Sequence, residues 1–221
     1  MNNESFFSSW FDYAASRTDL IQEGVLTHLL YVVLVVTSAT IFAVTVAVLT
    51  RRNRFFKELS LAITSVFLTI PSLALFTIFI PIVGLGFTPS FIALFLYSLL
   101  PILRNTITGL ESIDPNILDS ARGMGYTRNQ ILFKIEFPLA WPVILAGIRV
   151  AAMLTVGIAA IATLVAGGGI GDFIKSGLAR LPLPNSLEAI WTGVLLSIIL
   201  AFAIDSFLRI LKRISTSKGI L

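Results

Sequence analysis

Residues able to do chemistry are few in this sequence, and they do not assemble into a reactive set. The single histidine, His28, stands near the outer end of a long apolar run, which suits an interfacial or packing role. There is no cysteine, so disulfides and thiolate metal sites are excluded. No span pairs metal-ligating residues at a useful spacing. The glycines Gly167, Gly168, Gly169 and Gly171 lack the Lys-Ser/Thr ending of a phosphate-binding loop. If ATP drives this protein, another chain binds it. No catalytic residue, metal site or bound cofactor is expected. What remains is charge pairing. Arg104, Arg149 and Asp205 lie within apolar sequence, where an ionisable group needs a partner. Asp205 and Arg209 are four apart on one helical face and can pair locally. Arg149 can snorkel, or pair with Asp205 or Glu111 across a bundle. A structural role is expected for all three.

The elements that hold these residues read as membrane spans. Of 221 residues, 56% are hydrophobic and only 13% charged, against about 25% in a soluble domain. The mean hydropathy of +0.93 agrees. Too little charge is available to cover a water-facing surface. The expected fold is therefore an all-α integral membrane protein of about five transmembrane helices, near 27–49, 58–80, 90–110, 141–165 and 187–211. Long continuous apolar runs exclude an alternating barrel. Pro71 and Pro101 fall inside the second and third spans and are expected to bend them. The apolar turn PIVGLGFTP separates those two spans, and the glycine run ends the fourth. Residues 170–186 read as a short helix and loop, stopped by Pro182 and Pro184.

Charge sets the expected orientation. Arg51, Arg52, Arg54 and Lys57 follow the first span, and Arg209, Lys212, Arg213 and Lys218 close the last. Basic residues collect on the cytoplasmic side. The other side then holds Arg17, Lys175 and Arg180 against Glu4, Asp12, Asp19, Glu23, Asp172 and Glu188. The N-terminus is expected outside and the C-terminus in the cytoplasm. The same rule explains the pI of about 9.7 without nucleic acid. Residues 1–26 are expected as an extracytoplasmic or interfacial segment without a signal peptide, and 27–221 as the transmembrane domain. In the first segment, Phe6, Phe7, Trp10, Phe11, Tyr13 and Ala14 share one side of a helix suited to the membrane interface.

One polar island interrupts the second half, running from Asp114 to Pro138 within an expected cytoplasmic loop, 111–138. Asp114-Pro115 is a strong helix start. A short helix follows, with Gly123 and Gly125 ending it. Thr127 with Gln130 forms a capping box for a second helix, whose apolar face is Ile131, Leu132 and Ile135. Pro138 and Pro142 are expected to break that helix before the fourth span.

The order of residues here resembles the EAA loop of permease subunits of ATP-binding-cassette importers. That pattern is Glu-Ala-Ala, three residues, Gly, nine residues, Ile, any residue, Leu-Pro. Asp119, Ser120 and Ala121 stand for the triplet, Gly125 falls in place, and Ile135, Phe137 and Pro138 close it. Asp for Glu, Ser for Ala and Phe for Leu are the departures. The stretches TIPSLALF, LYSLLPILRNTITGL and TLVAGGGIGDFIKSGL resemble the branch that imports osmoprotectants such as glycine betaine, choline and carnitine.

The resemblance implies a type I importer fold and a set of partners. These are cytoplasmic ATPase subunits carrying ATP and Mg, a second permease subunit, an extracytoplasmic substrate-binding protein and a bacterial inner-membrane bilayer. It places Asp119, Ser120, Ala121, Arg122, Gly123, Met124, Gly125, Ile135 and Pro138 at the ATPase contact, with the coupling helix near 115–124. Quaternary ammonium groups are held by aromatic faces, which makes Phe76, Phe79 and Tyr97 the candidates for lining a path. An importer of amino acids or methionine is the neighbouring reading. A secondary transporter or channel is the reading from another class, although no internal repeat supports it. A membrane-embedded enzyme fits least.

Overall fold

The computed structural model describes residues 3–216; Lys218 and the first two residues of the expected N-terminal segment lie outside them. Helix α1 (Asn3–Ala15) precedes the long α2 (Thr18–Thr50). Next come α3 (Arg54–Thr69), α4 (Ser72–Val83), α5 (Phe87–Glu111) and α6 (Pro115–Gly123). One turn, α7 (Arg128–Ile131), enters a π-turn (Leu132–Glu136) and then α8 (Phe137–Ala162). Helix α9 (Gly171–Ala179) and α10 (Ser186–Ser215) are the last helices among the described residues. No strand occurs among the described residues. Four helical runs are long and apolar enough to cross a bilayer, and α3 with α4 makes a fifth if the pair is one broken span.

The centre of the bundle is the α5–α8 pair with α2 laid across it. Ala39, Ala43 and Ala47 of α2, four residues apart, meet Ile102 and Leu103 of α5 and Ala140, Ile144 and Ala151 of α8. Small residues let helix backbones approach where hydrophobic force between helices is weak. Gly147 is the tightest case: a Cβ there would lie 2.6 Å from Asn105 Cβ and 2.7 Å from the Pro101 carbonyl. A polar link joins the same helices, with the Ser98 and Thr155 hydroxyls 3.0 Å apart. His28 is buried against α8, its Nε2 3.0 Å from the Val156 carbonyl. It lies well inside α2, because that helix begins at Thr18 and not near residue 27. Its role is packing.

The N-terminal helix forms where the aromatic pattern put it. Trp10 Nε1 donates to Thr192 Oγ1 at 3.1 Å and the Ser9 hydroxyl to Glu188 Oε1 at 2.9 Å, so α1 is fixed to the start of α10. Tyr13 is buried with Phe173 and Ala189, while Phe7 and Phe11 point outward. The glycine run closes α8 as expected: Ala166, Gly168 and Gly169 all adopt positive φ. Helix α9 follows, packed on α10 at Gly177 and Gly193.

Two proline expectations are corrected. The second span is broken at Pro71, not bent within one helix: α3 and α4 meet at 98°. A residue before proline avoids the helical region, and here both Ile70 (ψ 132°) and Pro71 (ψ 135°) are extended. Two consecutive extended residues interrupt the hydrogen-bond ladder altogether. Pro101, by contrast, is carried inside an unbroken α5. Pro138 and Pro142 do not break the chain either, since the run 128–165 is one long helical span. The π-turn explains this. Phe137 N–H reaches back to the Leu132 carbonyl, five residues earlier. That wider turn leaves room for the ring of Pro138 where the register returns to α.

Candidate functional site

The polar island is built from local signals. Asp114 Oδ1 accepts from Asn116 N–H at 2.9 Å, and Pro115 occupies the first turn, where its missing donor costs nothing. Helix α6 ends in a complete Schellman motif. Tyr126 N–H donates to the Ala121 carbonyl (3.1 Å) and Gly125 N–H to the Arg122 carbonyl (3.0 Å). Gly125 supplies the left-handed residue this closure demands, with φ +83°. Gly123 does not share that task. It is the last residue of α6, has no positive φ, and has open space around it. The expectation that both glycines end the helix is corrected to Gly125 alone.

Thr127 then restarts the chain with the full capping box. Its N–H donates to Gln130 Oε1 at 2.8 Å and its hydroxyl accepts from Gln130 N–H at 3.4 Å. Because α7 runs through the π-turn into α8, the island is one free helix on the end of a long continuous one. It is not two separate short helices.

Most of α6 faces away from the bundle. Ala121 alone is buried, at 1% exposure, and acts as its anchor. Leu118 is half-buried, while Asp119, Ser120, Arg122 and Gly123 are exposed. Met124 is 69% exposed, and Ile117 and Tyr126 also present apolar surface. Asp119 and Arg122 pair at 2.6 Å, but both are open to water and such pairs contribute little. Ile135 is half-buried in the π-turn and Pro138 is exposed. One ion pair ties the island to the end of α2 and a second ties α3 to the end of α5 just before the island; sequence spacing indicated neither. Arg51, at the end of α2, pairs with Glu136, and Lys57 pairs with Glu111 at 2.6 Å. Glu111 is therefore not the partner of Arg149, which pairs with Asp205.

The aromatic candidates sit elsewhere, at the α3–α4 break. Phe76 is fully buried and packs with Leu75, Leu94 and Ala159; Phe79 is half-buried beside them. Tyr97 is buried and its hydroxyl donates to the Ile70 carbonyl, at the break itself. Pro71 forms that break, and Pro101 is buried against α8. Tyr97 therefore fastens the interrupted span to α5. Tyr97→Phe is expected to lower stability by about 1–3 kcal/mol, the usual cost of leaving a buried acceptor without its donor. Thermal unfolding of the purified chain checks this; an unchanged midpoint would mean that the hydroxyl does not hold the break.

Among the described residues there is no group of His, Asp or Glu able to hold a metal. Comparison with known proteins identifies the family. The family described as "Binding-protein-dependent transport system inner membrane component" matches residues 16–214. The glycine betaine/carnitine/choline transport system permease protein OpuCB of Bacillus subtilis (strain 168) is 39% identical over 193 residues, 87% of each chain. The osmoprotectant import permease protein OsmW of Salmonella typhimurium (strain LT2) is 38% identical over 198 residues, covering 87% of this chain and 90% of that one. A structure of the MetNI methionine ABC transporter in an inward-facing conformation superposes with a TM-score of 0.78 over 91% of this chain and 99% of its own. At 24% identity that likeness speaks for the fold alone. An all-helical bundle of four to five spans, a capped polar helix standing out from one end, and a family match across nearly the whole chain lead to one conclusion: this protein belongs to the inner-membrane components of binding-protein-dependent transport systems.

Proposed function

We propose that this chain forms the translocation pathway for a quaternary ammonium osmoprotectant (glycine betaine, choline, carnitine or a close analogue) in an ATP-driven importer. The observation that carries this reading is the 39% identity, over 87% of both chains, to a permease named for those three solutes. The choline permease OpuBB of Bacillus subtilis (strain 168), 38% identical, supports it. The methionine transporter resembles this chain in fold only, so methionine is the weaker choice.

In this reading α6 is the coupling helix. It docks on a cytoplasmic ATPase subunit that binds ATP and Mg, through the exposed Asp119, Arg122 and Met124. Gly125 sets its angle, while Ile135 and Pro138 lie on the helix that carries motion inward. Since α7, the π-turn and α8 are continuous, a push on the island moves α8 as a lever against α5. A second permease subunit completes the path, and an extracytoplasmic binding protein delivers the solute. The N-terminus faces outward and the C-terminus the cytoplasm, as the clustering of basic residues after α2 and at the end of α10 favours.

The test is uptake in a strain lacking its own osmoprotectant importers, with this chain expressed beside its ATPase and binding-protein partners. Labelled glycine betaine or choline is expected to accumulate in an ATP-dependent way and to be unaffected by excess methionine. Uptake competed by methionine, or uptake independent of ATP, would overturn the assignment.

A further inference from the structure

A basic cavity lies where the end of α2 meets the island. It has a volume of about 390 Å³ and is lined by Arg51, Arg52, Arg122, Arg128, Ile131 and Glu136. Four guanidinium groups thus surround one opening that holds a single carboxylate. Glu136 is taken by Arg51 and Asp119 by Arg122. Among the described residues, Arg52 and Arg128 have no acidic partner. Two positive charges at this opening, Arg52 and Arg128, are thus left without a carboxylate, and both are exposed. The four come from three separate elements, the α2 end, α6 and α7, so no single helix pattern accounts for their meeting.

Guanidinium forks match phosphate oxygens in geometry and charge. The depth of the cavity selects the source of the phosphate. Arg51 and Arg52 directly follow the last residue of a membrane-spanning helix. Phe55 and Phe56, three to four residues on, are both exposed, as aromatic residues at a membrane surface are. Trp141, one turn into α8, is only half-buried at the same end, and its Nε1 donates to the Ser215 hydroxyl at 2.9 Å. These features put the cavity at the level of lipid headgroups, where basic pockets between helices take anionic lipids.

We infer that this cavity binds the phosphodiester of an anionic phospholipid, which neutralises Arg52 and Arg128 and holds α6 and α7 against the end of α2. This inference does not depend on which solute is transported. It stands or falls on lipid binding alone.

The test is native mass spectrometry of the full-length chain, purified with its associated subunits. Bound lipid is counted after exchange into equal phosphatidylglycerol and phosphatidylcholine, with inorganic phosphate as a separate probe. The wild-type protein is expected to retain phosphatidylglycerol selectively. Arg52→Gln/Arg128→Gln should weaken that retention by roughly ten- to thirtyfold. Each single variant should fall between, so the test does not rest on the double variant alone. Arg104→Gln, an exposed arginine of α5 outside the cavity, should retain lipid as the wild type does. Equal phosphatidylglycerol in wild type and variants would overturn the inference. So would binding of inorganic phosphate without any preference between the two lipids. Loss of the ATPase subunit from the variants, with their phosphatidylglycerol unchanged, would assign the cavity to a protein partner and overturn it as well.

Discussion

Gly125→Ala and Gly125→Leu are both expected to leave the chain inserted and assembled while reducing ATP-coupled uptake about fivefold or more, and Gly123→Ala to leave uptake intact. The two glycines are two residues apart and differ in one respect that matters. Gly125 holds φ at +83°, and nothing lies within 4 Å of where its Cβ would be. A substitution there therefore meets no clash. It meets only the cost of the left-handed conformation, about 1–2 kcal/mol for an ordinary L-residue, or roughly five- to thirtyfold in the local equilibrium. Alanine and leucine should then behave alike, which a steric account would not give. Asparagine tolerates this region better than other side chains, so Gly125→Asn should recover much of the lost uptake. Gly123 is helical and open, and alanine there should stabilise α6 by up to about 0.5–1 kcal/mol. The measurement is solute uptake against ATP hydrolysis in reconstituted complexes. Hydrolysis that continues while uptake falls is the expected signature. Normal coupled uptake in Gly125→Leu would remove the corner from the mechanism.

What was legible in the sequence was what depends on near neighbours. The Asp114 cap, the Thr127–Gln130 box and the left-handed Gly125 each rest on contacts within five residues, and each appeared as read. Spans were legible because length and apolarity are enough to mark them. The proline effects were not. Pro71 breaks a span, Pro101 sits within a continuous helix and Pro138 is relieved by a π-turn, yet nothing in the letters themselves tells these outcomes apart. The difference lies in the register of hydrogen bonds around each ring, which composition does not encode. Direction was hidden for the same reason. A helix that is apolar all round gives no moment to tell its core side from its lipid side, so Phe76 and Tyr97 could be placed on spans but not in the packed interior where they lie. Arg51–Glu136 and Lys57–Glu111 were missed because their partners are 85 and 54 residues apart.

Asp205→Ala is expected to cost most of the folded chain recovered from membranes, and Arg149→Leu/Asp205→Leu to restore it. Asp205 is buried on α10 and accepts from two arginines, one oxygen to Arg149 of α8 and the other to Arg209 of its own helix. The arginines are not equivalent. Arg209 lies one turn before Lys212 and Arg213 near the end of α10, and its side chain is 60% exposed, so it can reach the interface alone. Arg149 sits in the middle of α8, farther from a helix end than Arg209, and its side chain is 45% exposed. A lone arginine at the centre of a span costs about 2.5–3.5 kcal/mol on insertion scales, enough to lower the inserted fraction well over tenfold. Removing Asp205 therefore strands Arg149, and removing both together strands nothing. Replacing a paired set of buried charges by apolar residues is often neutral or stabilising, whereas deleting one partner is not. The order of recovery after membrane extraction should be wild type and the Leu/Leu double variant together, Arg209→Gln slightly lower, and Asp205→Ala far below. Uptake by the recovered double variant then separates structure from transport. Near-normal uptake is expected, because the pair ties α8 to α10 and lies away from the α3–α4 break where Phe76 and Tyr97 sit. A double variant that folds but does not transport would instead make the pair part of the moving machinery.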